Sequence, residues 1–119
     1  YMEVQYMNLI FPEKEFGRGC DIVEVIGNSK FYRFIEIKRS TLGLDDINKA
    51  IEEFSSTIKD LEIMEDVVKD KILLHDKRRG CKTLANAIRH AKLRRIKVIT
   101  LREADDILKS CYKKYKESR

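Results

Sequence analysis

The sequence predicts an α/β fold, a central mixed β-sheet flanked by helices. Three observations lead there. Two apolar, β-branched runs, "DIVEVI" and "FYRFIEIK", flank "GNSK", a good hairpin turn, and so form an antiparallel pair. From Leu44 the apolar period changes to alternating steps of four and three, which is helical. Beyond residue 70, strand-like and helix-like stretches alternate, the order of a parallel βαβ unit with a right-handed crossover.

The 119 residues are 43% hydrophobic, one domain's worth of core, so residues 1–119 are read as a single domain. The chain opens on Tyr1 rather than Met, and its N-terminus reads as incomplete. No apolar run approaches the ~18 residues that span a bilayer, and no charged-then-apolar leader opens the chain, so the expectation is a cytoplasmic protein. Cys20, Cys81 and Cys111 are odd in number and lack Cys-x-x-Cys spacing, which argues for buried thiols over a disulfide scaffold or zinc site. The net charge is only +5, but it is unevenly spread: residues 45–70 carry nine Asp or Glu against three Lys, residues 77–97 nine Lys or Arg and no acid. A basic face implies a polyanionic partner.

Taken in order, "YMEVQYMNLI" reads as a strand and "FPEKEFGRG" as a loop broken by Pro and Gly. Strands at about 21–26 and 31–38 follow. Ile47, Ile51, Phe54, Ile58 and Leu61 then form the apolar stripe of a helix with Asp45 as N-cap and Leu44 as hydrophobic staple, running to about residue 60. "KILLHD" is a strand and "KTLANAIRHAKLRR" a helix, with Leu84, Ala87, Ile88 and Ala91 inward and Lys82, Arg89 and Lys92 outward. "IKVITL" is a strand. "READDILKSCYKKY" is a helix started by a capping box of Thr100 and Glu103, with early acids and late lysines that suit its dipole.

Closing the hairpin over "GNSK" pairs Ile26 with Phe31, Val25 with Tyr32, Val23 with Phe34 and Ile22 with Ile35, all apolar or aromatic matches, and Glu24 with Arg33, an opposite-charge match. Asp21 then falls opposite Glu36, the one like-charge pair. Carboxylates about 5 Å apart at an effective dielectric near 20 repel by roughly 3 kcal/mol. Lys38 projects from the same face as Glu36 but neutralises only one of the two charges. Spacing alone leaves two readings: a hydrated ion-pair cluster at strand ends, or a site for a hard divalent cation such as Mg²⁺ or Mn²⁺.

Asp21, a hairpin, then Glu36-Ile37-Lys38 closing an apolar strand, followed by helix, strand, basic helix, strand and helix, resembles the PD-(D/E)XK nuclease superfamily, nearest its Mrr-type and archaeal-resolvase-like branches. The resemblance spans about residues 15–110. It implies a restriction-endonuclease-like fold and a metal-dependent endonuclease acting on DNA as a homodimer. Asp21, Glu36 and the main-chain carbonyl of Ile37 would hold Mg²⁺ or Mn²⁺, and Lys38 would position or activate the attacking water. Two departures stand out. Cys20 occupies a position where proline is usual, and the family's first helix has no clear counterpart before residue 2. Either Glu13 or Glu15 supplies that helix's acid from the loop, or the helix lies upstream. The rival reading is a nucleic-acid-binding module that keeps a nuclease-like fold as a docking or structural subunit.

Outside this constellation, Lys82, Arg89 and Lys92 form a helix face that either tracks a nucleic-acid backbone or is simply solvated. His75 and His90 lack partners at ligand or triad spacing and read as packing or surface residues. Ser40 and Thr41 are helix-cap candidates that could also contact phosphate.

Overall fold

A computed structural model describes residues 8–28, 31–39, 42–76 and 82–119, with the side chains of residues 82 and 83 excepted. Five strands form one sheet in chain order: β1 (Asn8–Ile10), β2 (Ile22–Ile26), β3 (Phe31–Lys38), β4 (Val68–His75) and β5 (Ile96–Thr100). β1, β2 and β3 pair antiparallel, whereas β3, β4 and β5 pair parallel, so the sheet is mixed as expected. The β2–β3 register matches the sequence reading at every pair, from Ile22 with Ile35 to Ile26 with Phe31. Residues 1–7 of the first strand, Ser29 and Lys30 of the turn, Ser40, Thr41 and Cys81 lie outside the described residues.

Alternation along the strands splits the core into two layers. Val23, Phe34 and Leu73 pack under α2 (Leu44–Leu61) and α3 (Lys82–Leu93), with Phe34 and Phe54 ring centroids 6.0 Å apart. Ile22, Ile35, Ile72 and Leu74 pack under α4 (Asp106–Glu117), which contributes Leu108 and Cys111. Cys20 and Cys111 are free and buried, as their spacing suggested. On the α4 side, charges of alternating sign cross four strands. Arg33 Nη1 is 3.3 Å from Glu24 Oε1, Arg33 Nε is 3.5 Å from Asp70 Oδ2, and Lys97 Nζ is 2.8 Å from Asp70 Oδ1. A one-residue slip would break this row, so it reinforces the register.

Several local expectations are corrected. "FPEKEFGRG" is not all loop but contains a short helix, α1 (Pro12–Phe16). Its breakers are its boundaries: Pro12 opens it, needing no amide donor there, and Gly17 closes it at φ 74° with its N–H donating to Glu13 O. The N-cap of α2 is Gly43 rather than Asp45, and Asp46 Oδ2 accepts the Gly43 N–H at 2.8 Å. The buried stripe of α2 is Ile47, Ala50, Phe54 and Thr57, with Ile51, Ile58 and Leu61 only partly buried beside it. Small residues at 50 and 57 let the backbone close on the sheet. On α3, Leu84, Ala87 and Ala91 are buried, but Ile88 is 42% exposed. Thr100 and Glu103 do bond reciprocally, Glu103 N to Thr100 Oγ1 at 3.1 Å and Thr100 N to Glu103 Oε1 at 3.3 Å. They close a turn, however. The cap of α4 is Asp105, whose Oδ1 accepts from Leu108 N at 2.9 Å.

Candidate functional site

The site begins with a loop pinned to α2. Gly19 has φ +106°, and a Cβ there would stand 2.8 Å from Thr57 Oγ1 and 2.9 Å from Pro12 Cβ, so only glycine fits without displacement. Cys20 N donates to the buried Thr57 Oγ1 at 2.9 Å, and that hydroxyl donates to Glu53 O at 2.8 Å. The chain therefore reaches Asp21 from a fixed direction, one residue before β2.

Asp21 and Glu36 interlock there. Asp21 N donates to Glu36 Oε1 at 3.1 Å, and Ile37 N donates to Asp21 Oδ2 at 2.7 Å. The other Asp21 oxygen, Oδ1, accepts from the Tyr115 hydroxyl of α4 at 3.2 Å. The carboxylates thus sit at the shared end of β2 and β3, where the hairpin register places them. Burial pushes the Glu36 carboxyl up to about 9, assisted by the Asp21 charge, a hydrogen bond with the Asp21 side chain and the Glu53 charge. In the metal-free protein Glu36 keeps a proton at neutral pH, and the pair carries less than its full formal charge.

Lys38 does not supply the missing countercharge. Its Nζ is 2.9 Å from Asp46 Oδ1 at the first turn of α2. That contact keeps Lys38 on the helix-covered side, the Glu36 side by strand alternation, but engages its ammonium elsewhere. Ile37 enters through its amide, as the donor to Asp21.

A cleft of about 340 Å³ at this end of the sheet is lined by Asp21, Glu36 and Ile37, by Glu13 of α1, by Gly17–Gly19, and by Lys49 and Glu53 of α2. Of the two acids proposed for the loop, Glu13 lines this cleft and Glu15 does not. Lys49 and Glu53 are not legible in the sequence because the expected stripe sets α2 less than half a residue's turn away from its actual rotation. With Ala50, Phe54 and Thr57 turned inward, the 49 and 53 positions border the strand ends. Burial raises the Glu53 carboxyl, opposed by Lys49, with the Asp21 and Glu13 charges raising it further. Arg18 is engaged at both ends by Asp60, Nε to Oδ2 at 3.0 Å and Nη2 to Oδ1 at 2.7 Å.

Cys20, the residue before Asp21, is 0% exposed and donates to Ile22 O at 3.5 Å. Burial pushes its thiol up to about 12, so no soft thiolate borders the site and its donors are hard oxygens. Among the described residues, no group of three or more His, Cys, Asp or Glu could hold a metal ion, so a cation at Asp21 and Glu36 would draw further ligands from the main chain and water.

The remaining candidates lie elsewhere. Arg89 and Lys92 are exposed on α3 and line none of the clefts at Asp21; the Lys82 side chain lies outside the described residues. His75 is buried at the end of β4, in register with Lys38 and Thr100, and burial pushes its pKa down. His90 Nε2 is 3.3 Å from Asn48 Oδ1, linking α3 to α2. No helix among the described residues is long and apolar enough to cross a membrane. The chain matches no family model, no curated protein and no solved structure.

Proposed function

We propose that the chain is a metal-dependent endonuclease that hydrolyses phosphodiester bonds in DNA, as its resemblance to PD-(D/E)XK nucleases implies. One observation carries this reading. Asp21 and Glu36 are locked together in a half-buried cleft, Glu36 is pushed up to about 9, and the nearest lysine in sequence, Lys38, is paired with Asp46. Two carboxyls held together and carrying less than their full charge offer a divalent cation two hard oxygen ligands once it displaces the Glu36 proton. Asp21, Glu36 and the Ile37 carbonyl would hold Mg²⁺ or Mn²⁺, which when bound activates water and stabilises charge on the phosphoryl oxygens. The Ile37 amide and the Tyr115 hydroxyl orient Asp21. Glu13 and Glu53 border the cleft where ligand water would be held, and Lys38 or Lys49 supplies positive charge beside the attacked phosphate. The homodimer implied by the resemblance belongs to the same proposal.

A second reading, a nucleic-acid-binding module with a nuclease-like fold, is favoured by the Lys38–Asp46 ion pair, which occupies the lysine that the chemistry would use. Metal titration and cleavage separate the two. If the pair holds a cation, Mg²⁺ or Mn²⁺ raises the melting temperature of the parent. Asp21→Asn should abolish both the metal-induced rise and the nicking of supercoiled plasmid. Lys38→Ala should keep the metal-induced rise and slow nicking. A parent that gains no stability from either metal and cleaves no linear, branched or single-stranded substrate would overturn the nuclease reading and turn it to the binding module.

A further inference from the structure

Beside the acidic cleft, a second cleft of about 610 Å³ is lined by Asp21, Ile37, Arg39, Tyr112, Tyr115, Lys116 and Arg119. We propose that this cleft, between the end of β3 and the last two turns of α4, binds an unpaired strand of nucleic acid on its way to Asp21 and Glu36. The inference rests on the nuclease reading for what happens at Asp21, but the binding site stands on separate observations.

The first is continuity. Asp21 and Ile37 line both clefts, so this one adjoins the carboxylate site at Asp21. The second is charge. Arg39, Lys116 and Arg119 are exposed, and among the described residues none of them forms an ion pair and Asp21 is the only acid in the lining. The neighbouring cleft has the reverse balance, with Glu13, Asp21, Glu36 and Glu53 around Lys49 and an Arg18 already engaged by Asp60. A polyanion therefore has a favourable approach on the α4 side and an unfavourable one on the other.

The third is aromatic surface. Tyr112, Tyr115 and Lys116 stand at i, i+3 and i+4, which aligns them on one face of α4, and Arg119 follows just past the helix end beside Tyr115. Lys116 Nζ lies 5.0 Å from the Tyr112 ring centroid and Arg119 Cζ 5.3 Å from that of Tyr115. Both tyrosines are half-buried against the core beneath α4, so a base entering the cleft takes the ring surface where the cation now lies while its phosphate meets that charge. A cleft of this volume takes a ligand of nucleotide size rather than a duplex, whose bases present no free face to a ring. Arg119 also donates to the Tyr115 hydroxyl, which itself donates to Asp21, so strand binding and the metal ligand share one hydrogen-bonded chain.

The test is fluorescence anisotropy in EDTA, with a short labelled oligonucleotide presented single-stranded and as a duplex. The parent should bind the single strand more tightly. Arg39→Ala with Lys116→Ala should weaken that binding and reduce the slope of log K against log salt by about 1.4, because each single-strand phosphate neutralised by a side chain contributes ~0.7. Tyr112→Leu should weaken single-strand binding about tenfold, as removal of one stacking partner does, and leave duplex binding unchanged. Should Tyr112→Leu fail to fold, the two exposed cations decide alone. Parent-like affinity and slope in the Arg39/Lys116 variant, or a weakening seen only in Arg89→Ala with Lys92→Ala, would overturn the proposal and move the strand to α3. Plasmid nicking with Mg²⁺ is scored separately. Strand binding through this cleft without cleavage removes the nuclease reading alone, and cleavage without such binding removes the cleft alone.

Discussion

Glu36 sits where two requirements conflict, since the strand it belongs to needs a buried residue and the site needs a carboxylate. Its pKa is raised from 4.5 to about 9, so between those values the folded protein holds a proton that the unfolded chain has released. Stability contributed by this group is therefore fully present below about pH 4.5 and is lost as pH rises towards about 9. One proton difference gives a slope of at most about 1.4 kcal/mol per pH unit. Glu36→Gln, which keeps the shape and cannot ionise, should flatten the fall in metal-free stability over that window, as measured by urea denaturation at successive pH values. A parent and variant with parallel pH profiles would mean that Glu36 is ionised in the fold. Because a metal ion must displace that proton, apparent Mg²⁺ or Mn²⁺ affinity should rise with pH in the parent.

At the scale of elements, caps and rotations decide what reaches the site. α4 presents Tyr112, Tyr115 and Lys116 to the cleft only if it starts at the right residue, and two motifs compete for that start. Asp105 accepts from Leu108 N within the helix, whereas Thr100 and Glu103 bond to each other before it. Asp105→Ala should accordingly destabilise by about 1 kcal/mol, as removal of a cap does. Glu103→Ala, at the surface, should stay within about 0.5 kcal/mol of the parent. Equal destabilisation in thermal melts would assign the cap to the earlier pair. The loop into Asp21 is equally specific. Gly19→Ala meets both Thr57 Oγ1 and Pro12 Cβ at a positive φ, and should destabilise by about 1–3 kcal/mol while disturbing the Cys20–Thr57 bond that aims Asp21.

Across the whole molecule the two faces of the sheet are covered unequally. α2 and α3 share one face, whereas α4 covers the other with Leu108 and Cys111 as its buried residues. Leu108→Ala should therefore cost about 2–5 kcal/mol and loosen the Tyr115 contact with Asp21. Leu93→Ala, at a position 78% exposed, should remain within about 0.5 kcal/mol of the parent. Equilibrium denaturation of both variants, with strand binding measured alongside, links the packing of one helix to the function of the strand ends it covers.

The hairpin register, the mixed character of the sheet and the meeting of Asp21 with Glu36 were determined by the sequence itself. Strand pairing over a short turn is local, and its alternation of apolar, charged and aromatic residues admits one self-consistent alignment. Only the tertiary structure decided the rest of the site. Lys38 and Asp46 are eight residues apart, and nothing in their spacing sets the ammonium on the helix rather than on the carboxylates. Lys49 and Glu53 reach the cleft because Ala50 and Thr57 let α2 turn towards the sheet, an outcome of packing that periodicity fixes only to within a residue. Tyr115 meets Asp21 from 94 positions away, a contact that no local pattern encodes because it exists only once α4 has folded over the second face.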